Sequence, residues 1–436
     1  MAYRCTKCEH QSGKWMGFCS QCGEHGSLVE VVVRAGERRE LVAITDVGDE
    51  CTVRRPVGIG EVDRVLGGGF VSGAAVLLGG EPGVGKSTVL LQIAAAVASG
   101  SGRVLIASAE ESAGQIALRG KRIGASVDGI DLLAESSLEN ILTTAEAINP
   151  SLLVIDSIQT VTTGKADGIA GSVGQVRACG AEAVAFAKRT GTPVVLVGHV
   201  TKDGAIAGPK VLEHLVDVVL YLEGEDAAGL RVLRSLKNRY GSINQIGLFE
   251  MSDRGMIPVV DPAKVLLADR RPGSAGTVLA VTLEGRRPIV LEVQALVTKS
   301  VTPQPRRSVK GIDAARVHQL LAVLERHGGI PFGDRDVYVN VVGGIKLKEP
   351  AADLPVALAL ASARGGVAVN EVVAWGELGL TGELRPVSQA DRRREEALRL
   401  GVNVVIAPGN AMHTIGDALT AAGMLPVRSR GAGRDE

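Results

Sequence analysis

A glycine-rich run, GEPGVGKST, stands between an apolar segment that predicts a strand and one that predicts a buried helix. The strand segment is AAVLLG and the helix segment is VLLQIAAAVA, so the run is a G-x4-G-K-[ST] motif in the context that the motif requires. Successive backbone N–H groups of such a loop wrap phosphates at the start of a helix. The sequence therefore predicts a nucleotide-binding loop made of Gly80, Glu81, Pro82, Gly83, Val84, Gly85, Lys86, Ser87 and Thr88.

This loop predicts a site for ATP and Mg²⁺ within an α/β fold. Lys86 is placed to reach the β- and γ-phosphates, and the Ser87 hydroxyl is placed to ligate Mg²⁺. Of the 436 residues, 45% are apolar but only 3% are aromatic, so the cores must consist of Val, Leu, Ile and Ala, as in helices packed on a mainly parallel sheet. At about 150 residues per domain, the length predicts about three folded units.

Polar side chains follow three further strand-like runs. SLLVID ends in Asp156, the predicted Walker B carboxylate, which acts on magnesium through water. RVLIAS precedes Glu110 and Glu111, either of which could polarise the attacking water; we favour Glu110 because it is nearer the strand end, and a solvated loop acid is the alternative. PVVLVG leads to His199, a sensor of the γ-phosphate or simply a hydrogen-bonded histidine. The carboxyl ends of parallel strands share one sheet edge, so we expect these groups beside the phosphates.

Two glycine-rich segments, residues 162–174 and 201–210, leave the same predicted edge and are mobile by composition. Their basic residues could contact a phosphate backbone, although loop lysines are more often only solvated. A balance of 48 Lys+Arg against 48 Asp+Glu excludes a globally basic nucleic-acid binder but allows a local basic channel. The candidate DNA-binding residues are Lys165, Arg177, Lys202 and Lys210.

Four of the six cysteines lie within the first 22 residues, as two C-x2-C pairs separated by ten residues. Two such pairs complete a tetrahedral thiolate shell, which suits Zn²⁺. We therefore predict a zinc site; two redox-active pairs are the less favoured alternative, and Cys51 and Cys179 are interpreted as small buried apolar residues. The predicted zinc ligands are Cys5, Cys8, Cys19 and Cys22.

The sequence contains no apolar run of the 18 or more residues that a membrane span requires. A cysteine pair occupies the start of the chain, where a signal peptide would carry its apolar stretch. We therefore expect a cytosolic protein without membrane contact.

The order of these motifs resembles that of the RecA-like ATPases, and the run KNRYG at residues 237–241 resembles the KNRFG motif of the bacterial RadA (Sms) family of DNA repair proteins. The resemblance extends over the whole chain, and Tyr240 in place of the usual Phe keeps the ring and adds a hydroxyl. The other matching segments are the four-cysteine finger, GIGEVDRVLGGGFVSGAAVLLGGEPGVGKST, SAEES, GSVGQVR, GHVTKDGAIAGPKVLEHLVD and YVNVVGGIKLKEPAADL.

The resemblance implies a ring-forming ATPase, with a hexamer as the expected ring, that single-stranded DNA stimulates. It further implies translocation on single-stranded or branched DNA as a helicase-type motor, and branch migration alongside the RecA recombinase. Lys86 and Ser87 match Walker A and Asp156 matches Walker B. Lys237 and Arg239 match the family motif and would face the nucleotide of a neighbouring subunit; a surface strand end with ordinary salt bridges is the alternative.

The last third of the chain resembles the Lon protease domain, with an α+β fold. Lon-type proteolysis needs a serine activated by a lysine, but the expected serine turn reads EPAADL and the segment for the lysine reads SQADRRR. Ser362 lies in an apolar helix-like run, and we predict no peptidase activity. A scaffold role remains, in which Lys346, Lys348 and the cluster Arg392–Arg394 contact DNA; charge pairing within a helix is the alternative for the cluster.

The predicted domains are a zinc finger over 1–30, a RecA-like ATPase domain over 50–262 and a Lon-protease-like domain over 268–436. The function that we predict is a zinc-containing, DNA-dependent ATPase that acts as a motor in DNA repair and homologous recombination. Two alternatives belong to other classes: a Lon-type ATP-dependent protease, and a nucleotide-switched adaptor that binds partners through its zinc finger.

Overall fold

The structure is a computed structural model of the chain that describes residues 2–8, 10–12, 14–31, 53–100, 102–199, 210–224, 229–369, 371–409 and 411–425. The chain divides into two compact units, Met1–Cys51 and Thr52–Glu436. In the first unit, β1 (Ala2–Cys5) pairs antiparallel with both β2 (Gln11–Ser12) and β3 (Leu28–Val31). Its described core is little more than Leu28 and two buried cysteines, which is typical of a domain folded around a metal.

The first part of the second unit alternates strands with helices, as the apolar runs around the phosphate-binding loop predict. Its elements are β4 (Arg54–Arg55), α1 (Gly60–Leu66), β5 (Phe70–Val71), β6 (Ala75–Gly80), α2 (Lys86–Gly100), β7 (Val104–Ser108), α3 (Ala113–Arg122), β8 (Ile130–Ala134), α4 (Leu138–Ile148), β9 (Leu152–Asp156), α5 (Val173–Thr190), β10 (Val194–His199), α6 (Lys210–Glu213), β11 (Val218–Gly224), β12 (Leu230–Asn238), β13 (Ile246–Ser252), β14 (Gly255–Pro258) and α7 (Pro262–Leu266).

Strands β6 to β14 form one nine-stranded sheet in the order β14-β13-β12-β11-β6-β10-β9-β7-β8. Strands β6 to β11 are mutually parallel, and β12, β13 and β14 extend the sheet antiparallel. The central parallel strands β6, β7, β9 and β10 are nearly continuous apolar runs because helices cover both faces of that part of the sheet. The predicted α/β class with a mainly parallel sheet is thus confirmed.

The second part contains a six-stranded sheet in the order β17-β18-β16-β15-β19-β22, with helices packed against it. Its elements are β15 (Thr277–Glu284), β16 (Arg287–Lys299), β17 (Arg307–Lys310), α8 (Ala314–Gly328), β18 (Arg335–Val341), a 3₁₀ turn (Pro350–Ala352), α9 (Asp353–Gly365), β19 (Val372–Ala374), β20 (Glu377–Leu378), β21 (Leu384–Arg385), α10 (Ala390–Arg399), β22 (Val404–Ile406) and α11 (Ile415–Ala421).

The antiparallel hairpin β12–β13 belongs to two hydrophobic cores at once. Because successive strand residues face opposite sides, Leu233 and Phe249 pack into the core of the nine-stranded sheet, whereas Val232 and Leu248 pack into the core of the six-stranded sheet. Glu61 of α1 and Arg287 of β16 form a buried ion pair across the same junction. The two sheets therefore share one continuous apolar boundary, and the domain limits at residues 262 and 268 stay a prediction.

Within the described residues, none of the helices combines the length and the apolar character needed to cross a bilayer.

Candidate active site

The phosphate-binding loop connects the end of β6 to the start of α2. Gly80 has a φ of +155°, and a Cβ at this position would lie 2.6 Å from the carbonyl oxygen of Leu222. A side chain there would collide with the neighbouring strand β11, so only glycine lets the loop leave the sheet at this point. Strand, loop and helix α2 are thus arranged as the motif requires, with the helix N-terminus at the loop.

Lys86, the first residue of α2, points its ammonium group into the loop. Its Nζ atom donates hydrogen bonds of 3.0 Å to the carbonyl oxygens of Gly80 and Glu81, and the residue is 4% exposed. Burial lowers the pKa of Lys86, while the nearby Asp156 and Glu110 act in the opposite direction. A buried ammonium that donates to two neutral carbonyl oxygens is well placed to exchange them for phosphate oxygens.

Ser87 and Asp156 meet at the carboxyl edge of the sheet. The Ser87 hydroxyl donates a 2.8 Å hydrogen bond to Oδ2 of Asp156, the last residue of β9. A hydroxyl and a carboxylate beside a phosphate-binding loop are oxygen donors of the kind that Mg²⁺ prefers, so this pair fits the predicted metal.

Glu110 and Glu111 follow β7, which lies next to β9 with Ser108 opposite Asp156. The hydroxyl of Ser157 donates a 2.6 Å hydrogen bond to Oε1 of Glu110, which draws this carboxylate toward the end of β9. The predicted preference for Glu110 over its neighbour therefore has a geometric basis, and Glu111 has a different partner.

Glu111 forms a bidentate ion pair with Arg119 of α3, with one N–O distance of 2.7 Å. Sequence reasoning missed both Arg119 and Ser157 as partners of the two glutamates. The one available signal was that Ser157 directly follows the Walker B aspartate.

The KNRYG motif and the phosphate-binding loop of the same molecule lie at opposite ends of the strands of the sheet. Asn238 at the end of β12 pairs with Val218, and Val218 pairs with Val76 near the start of β6. From Val76 to Gly80, where the loop begins, the strand advances about 13 Å at about 3.3 Å per residue. An extended arginine side chain is shorter than this, so Arg239 does not reach the phosphates bound by its own chain.

Lys237 and Arg239 contact the segment before β11. The Nζ atom of Lys237 donates to the carbonyl oxygens of Glu213 and Val216, at 2.7 and 2.8 Å. Burial and the neighbouring Arg239 lower the pKa of Lys237. Arg239 is exposed, and its Nη1 atom donates to Oδ1 of Asp217 at 3.2 Å. The motif is thus tied down locally while its guanidinium faces outward.

The hydroxyl that Tyr240 adds to the motif has a partner. Lys188 of α5 donates a 3.0 Å hydrogen bond to this oxygen, and its Nζ atom lies 5.7 Å from the ring centroid. Arg54 donates to the backbone carbonyl of Tyr240 and, through its other nitrogen, to that of Gly67. Burial raises the pKa of Tyr240. Neither Arg54 nor Lys188 carried a sequence signal for this role.

The candidate DNA-binding residues that the structure describes are exposed, but they differ in their ion-pair partners and in the elements that carry them. Lys165 is exposed and forms a 3.1 Å ion pair with Glu182 of α5, and Arg177 is exposed on the same helix. Lys210 is exposed at the start of α6. Lys202, like Cys51, lies outside the described residues, and so does the side chain of His199, whose backbone completes β10.

The four predicted zinc ligands come together. The Sγ atoms of Cys5, Cys8, Cys19 and Cys22 all lie within 4.8 Å of one another. The Sγ–Sγ distances of 3.6 Å for Cys5–Cys22 and 3.5 Å for Cys8–Cys19 are close to the edge of about 3.8 Å expected for a tetrahedron with Zn–S bonds of about 2.3 Å. This donor set therefore fits a structural zinc ion.

The proposed basic cluster Arg392–Arg394 needs a correction, because Arg393 is fully buried. Its guanidinium forms a bidentate ion pair with Glu349, at 2.6 and 2.9 Å, and also donates to the carbonyl oxygen of Val281. Arg393 is therefore a structural residue that does not face DNA. Helix-internal pairing does not explain it either, since Glu349 lies outside α10.

The Lon-like part places its serine in a structural role. Ser362 is fully buried in α9, where its hydroxyl accepts from the Gly276 amide at 2.7 Å and donates to the carbonyl oxygen of Val367 at 2.5 Å. Both bonds engage the oxygen atom that a nucleophile would need. The absence of peptidase activity stays a prediction, and this geometry agrees with it.

Three family models match separate parts of the chain. The model described as an AAA domain matches residues 58–205, that of the ChlI subunit of Mg-chelatase matches residues 294–410, and that of a rubredoxin metal-binding domain matches residues 3–30. These matches confirm the predicted order along the chain: a zinc ribbon, then an ATPase core, then a further domain.

Curated relatives match nearly the whole chain. The DNA repair protein RadA of Mycolicibacterium smegmatis is 47% identical over 424 residues, covering 93% of this chain and 91% of the relative. RadA proteins of Pseudomonas aeruginosa (45% identity, 94% and 93% covered) and Bacillus subtilis (43%, 93% and 91%) are similar. Among solved structures, a KaiC-like protein of Pyrococcus horikoshii OT3 is similar to 48% of this chain, over 99% of its own length, at 22% identity and with a TM-score of 0.40.

Proposed function

This chain belongs to the RadA family of bacterial DNA repair proteins, and on that premise we propose that it is a ring-forming, DNA-stimulated ATPase that moves on single-stranded or branched DNA. In this proposal it acts in DNA repair and homologous recombination, where it promotes branch migration together with the RecA recombinase. Its cofactors are ATP, Mg²⁺ and a structural Zn²⁺, and its expected ring is a hexamer.

Hydrolysis is assigned to the residues at the carboxyl edge of the nine-stranded sheet. The backbone of the loop and Lys86 bind the β- and γ-phosphates. Ser87 and Asp156 would hold Mg²⁺. When bound, this ion would neutralise the negative charge that develops on the phosphate oxygens. Glu110, held by Ser157, orients the attacking water and accepts its proton.

The observation that carries the proposal is the distance between the KNRYG motif and the phosphate-binding loop of its own chain. About 13 Å of strand separates them, so the exposed guanidinium of Arg239 can stabilise a transferring phosphoryl group only on another molecule. Hydrolysis then requires assembly, because each site is completed by its neighbour. A head-to-tail contact of this kind closes into a ring when its rotation permits.

DNA contact is assigned to basic residues on and near the loops of the ATPase domain. Lys165, Arg177 and Lys210 are exposed, and Lys202 belongs to the same glycine-rich segments. A chain of zero net charge that binds DNA does so through such local groups, so its DNA stimulation should weaken as salt rises.

Mixing two inactive variants tests the cross-subunit assignment. Lys86→Ala removes the phosphate-binding lysine and keeps Arg239, while Arg239→Ala does the reverse. Each alone should hydrolyse almost no ATP with single-stranded DNA present. In a random equal mixture, about a quarter of the interfaces combine an intact loop with an intact arginine, so activity should return to about a quarter of the wild-type value. A mixture as inactive as its components would contradict the proposal.

A second measurement separates the motor from the adaptor. The ATPase rate of the zinc-loaded protein is measured with and without an unpaired oligonucleotide, from low to high salt. A motor should be stimulated by DNA at low salt and lose that stimulation steeply as salt rises. Slow hydrolysis that is indifferent to DNA at every salt concentration would favour the nucleotide-switched adaptor.

A further inference from the structure

A buried carboxylate, Asp217, lies beneath the KNRYG motif. It directly precedes β11 and is 2% exposed. Its Oδ2 atom accepts a 3.0 Å hydrogen bond from the Ala75 amide and a 2.6 Å bond from Nζ of Lys188, and its Oδ1 atom accepts from Nη1 of Arg239 at 3.2 Å. Both of its carboxylate oxygens are therefore engaged with named partners.

The backbone repeats the same connections. The Asp217 amide donates to the Ala75 carbonyl at 2.9 Å, and the Arg239 amide donates to the Asp217 carbonyl at 3.0 Å. Asp217 is thus fixed to the first residue of β6 on one side and to the motif on the other. Because β6 continues directly into the phosphate-binding loop, a single strand sets the spacing between the motif and that loop.

The charges around Asp217 are arranged to keep it ionised. Burial by itself would raise the pKa of Asp217, but the hydrogen bonds from Lys188 and the Ala75 amide outweigh it and hold the pKa below its ordinary value. Taking a carboxylate out of water is costly, and the two cationic partners of Asp217 offset that cost.

The pair leaves most of the Arg239 guanidinium available. The Arg239 side chain is 54% exposed, and in the described part of the chain Asp217 receives one of its five N–H donors. Lys188 connects the same carboxylate to the hydroxyl of Tyr240. One buried acid therefore holds two side chains of the motif while the remaining arginine donors face outward.

We propose that Asp217 is the positioning residue that orients Arg239 toward the nucleotide of a neighbouring subunit. The proposal rests on the proposed function, since it presupposes that Arg239 acts on another molecule. An arginine side chain has many rotamers, and anchoring one edge of its guanidinium reduces the conformational entropy lost when the free donors meet a phosphate. Asp217 acts through Arg239 and contacts no reacting atom.

The experiment is a double-mutant cycle on the DNA-stimulated ATPase rate. Asp217→Asn keeps the size of the side chain and removes its charge. We expect kcat to fall at least tenfold, with KM for ATP changed less than twofold. In the Arg239→Ala background the same substitution should change the residual rate less than twofold, because the residue through which Asp217 acts is already absent.

Two further variants keep the test decisive. Asp353→Asn changes another buried aspartate paired with an arginine, Arg316, in the C-terminal part, and should leave kcat unchanged. Asp217→Glu retains the charge but displaces it by one methylene. If Asp217→Asn does not fold, as judged by circular dichroism, Asp217→Glu takes its place, with a loss in kcat again expected only when Arg239 is intact.

The outcomes separate the two proposals. If Arg239→Ala is fully active, the cross-subunit function fails and the role of Asp217 fails with it. If Arg239→Ala is inactive but the folded Asp217 variant is as active as wild type, only the positioning role is overturned. An equal fractional loss in both backgrounds would also overturn it, because Asp217 would then act independently of Arg239.

Discussion

Two adjacent glutamates at the end of β7 have different partners and should differ in function. Glu110 accepts a hydrogen bond from Ser157, the residue after Asp156, whereas Glu111 is paired with Arg119. We expect Glu110→Gln to lower the DNA-stimulated ATPase rate by about 100-fold or more while nucleotide binding is retained, because a general base contributes about that much.

Glu111→Gln is the matched control, since it makes the same chemical change one residue away. It should retain most of the activity, with a small loss of stability from the broken ion pair. Steady-state ATPase rates and fluorescent-nucleotide titrations measure both variants. If Glu111→Gln were the inactive one, the roles of the two glutamates would have to be exchanged.

The residues that sequence could predict are those with a local pattern. The roles of Lys86 and Ser87 are predicted by nine consecutive residues of the phosphate-binding loop. The role of Asp156 is predicted by an apolar run that ends in an acidic residue. Asp217 and Arg54 have no such pattern, because their partners are far along the chain: Ala75 is 142 residues from Asp217, and Tyr240 is 186 residues from Arg54. Only the fold brings these groups together.

At the scale of elements, the segment after the Walker B strand is anchored by Glu139 of α4. Its carboxylate accepts a 2.7 Å bond from the Thr163 hydroxyl and a 2.9 Å bond from the Gly164 amide. The glycine content of this segment gave no sign of these bonds. Hydrogen bonding, with that of Thr163 the largest contribution, lowers the pKa of Glu139 to about 2.

This shift predicts a specific pH dependence of stability. A carboxyl whose pKa is depressed by folding stabilises the protein above its unfolded value, near 4.5, and this contribution is lost as the pH falls toward 2. The urea midpoint of wild type should therefore exceed that of Glu139→Gln at pH 7, and the gap should shrink between pH 5 and 3. Glu146→Gln, in an exposed ion pair on the same helix, is the control and should show a small gap throughout. A gap for Glu139→Gln that widened in acid would refute this assignment.

The buried pair of Arg393 and Glu349 connects α10 to the loop before α9. Arg393 is fully buried and Glu349 is 24% exposed, so Arg393→Met leaves a partly solvated carboxylate without its partner and should destabilise the C-terminal part by about 2 kcal/mol. Trp375 is buried in the adjoining core, and its fluorescence during urea unfolding reports this part alone in a Trp15→Phe background. The exposed Arg394→Met is the control, with a change below about 0.5 kcal/mol. Equal midpoints for the two variants would contradict the buried-pair interpretation.

Strands were predictable where apolar runs are continuous, whereas the role of a single charged residue within a helix was not. Strands β6, β7, β9 and β10 are buried on both faces, and their continuous apolar runs predict strands. The role of Arg393 was hidden in a run of three arginines followed by two glutamates, a pattern that an exposed helix and a buried ion pair share. Burial of the middle arginine is a tertiary property that no local charge count shows.

For the whole molecule, the proposed action of Arg239 on a neighbouring subunit predicts that activity depends on concentration. The ATPase rate per subunit should rise with protein concentration and level off once assembly is complete, as light scattering measures independently. Arg239→Ala should remain inactive at every concentration even though it assembles. A constant rate per subunit down to concentrations at which the protein is monomeric would contradict action between subunits.

The order of domains was predictable from the whole chain because each part has its own sequence signature: paired cysteines, a phosphate-binding loop, and a distinct pattern after residue 262. The junction between the two large parts was not predictable. Val232 and Leu233 are adjacent in sequence and equally apolar, yet they serve different cores, and only the register of β12 distinguishes them.

The hairpin β12–β13, which packs into both cores, has a genetic consequence. A premature stop codon near residue 270 would leave every ATPase residue encoded, but it would also leave the outer face of β12 and β13, with Leu230, Val232, Ile246 and Leu248, uncovered. An apolar patch of this kind promotes aggregation. Such an allele would yield inclusion bodies and behave as a null, although the catalytic sequence upstream of the stop codon is intact.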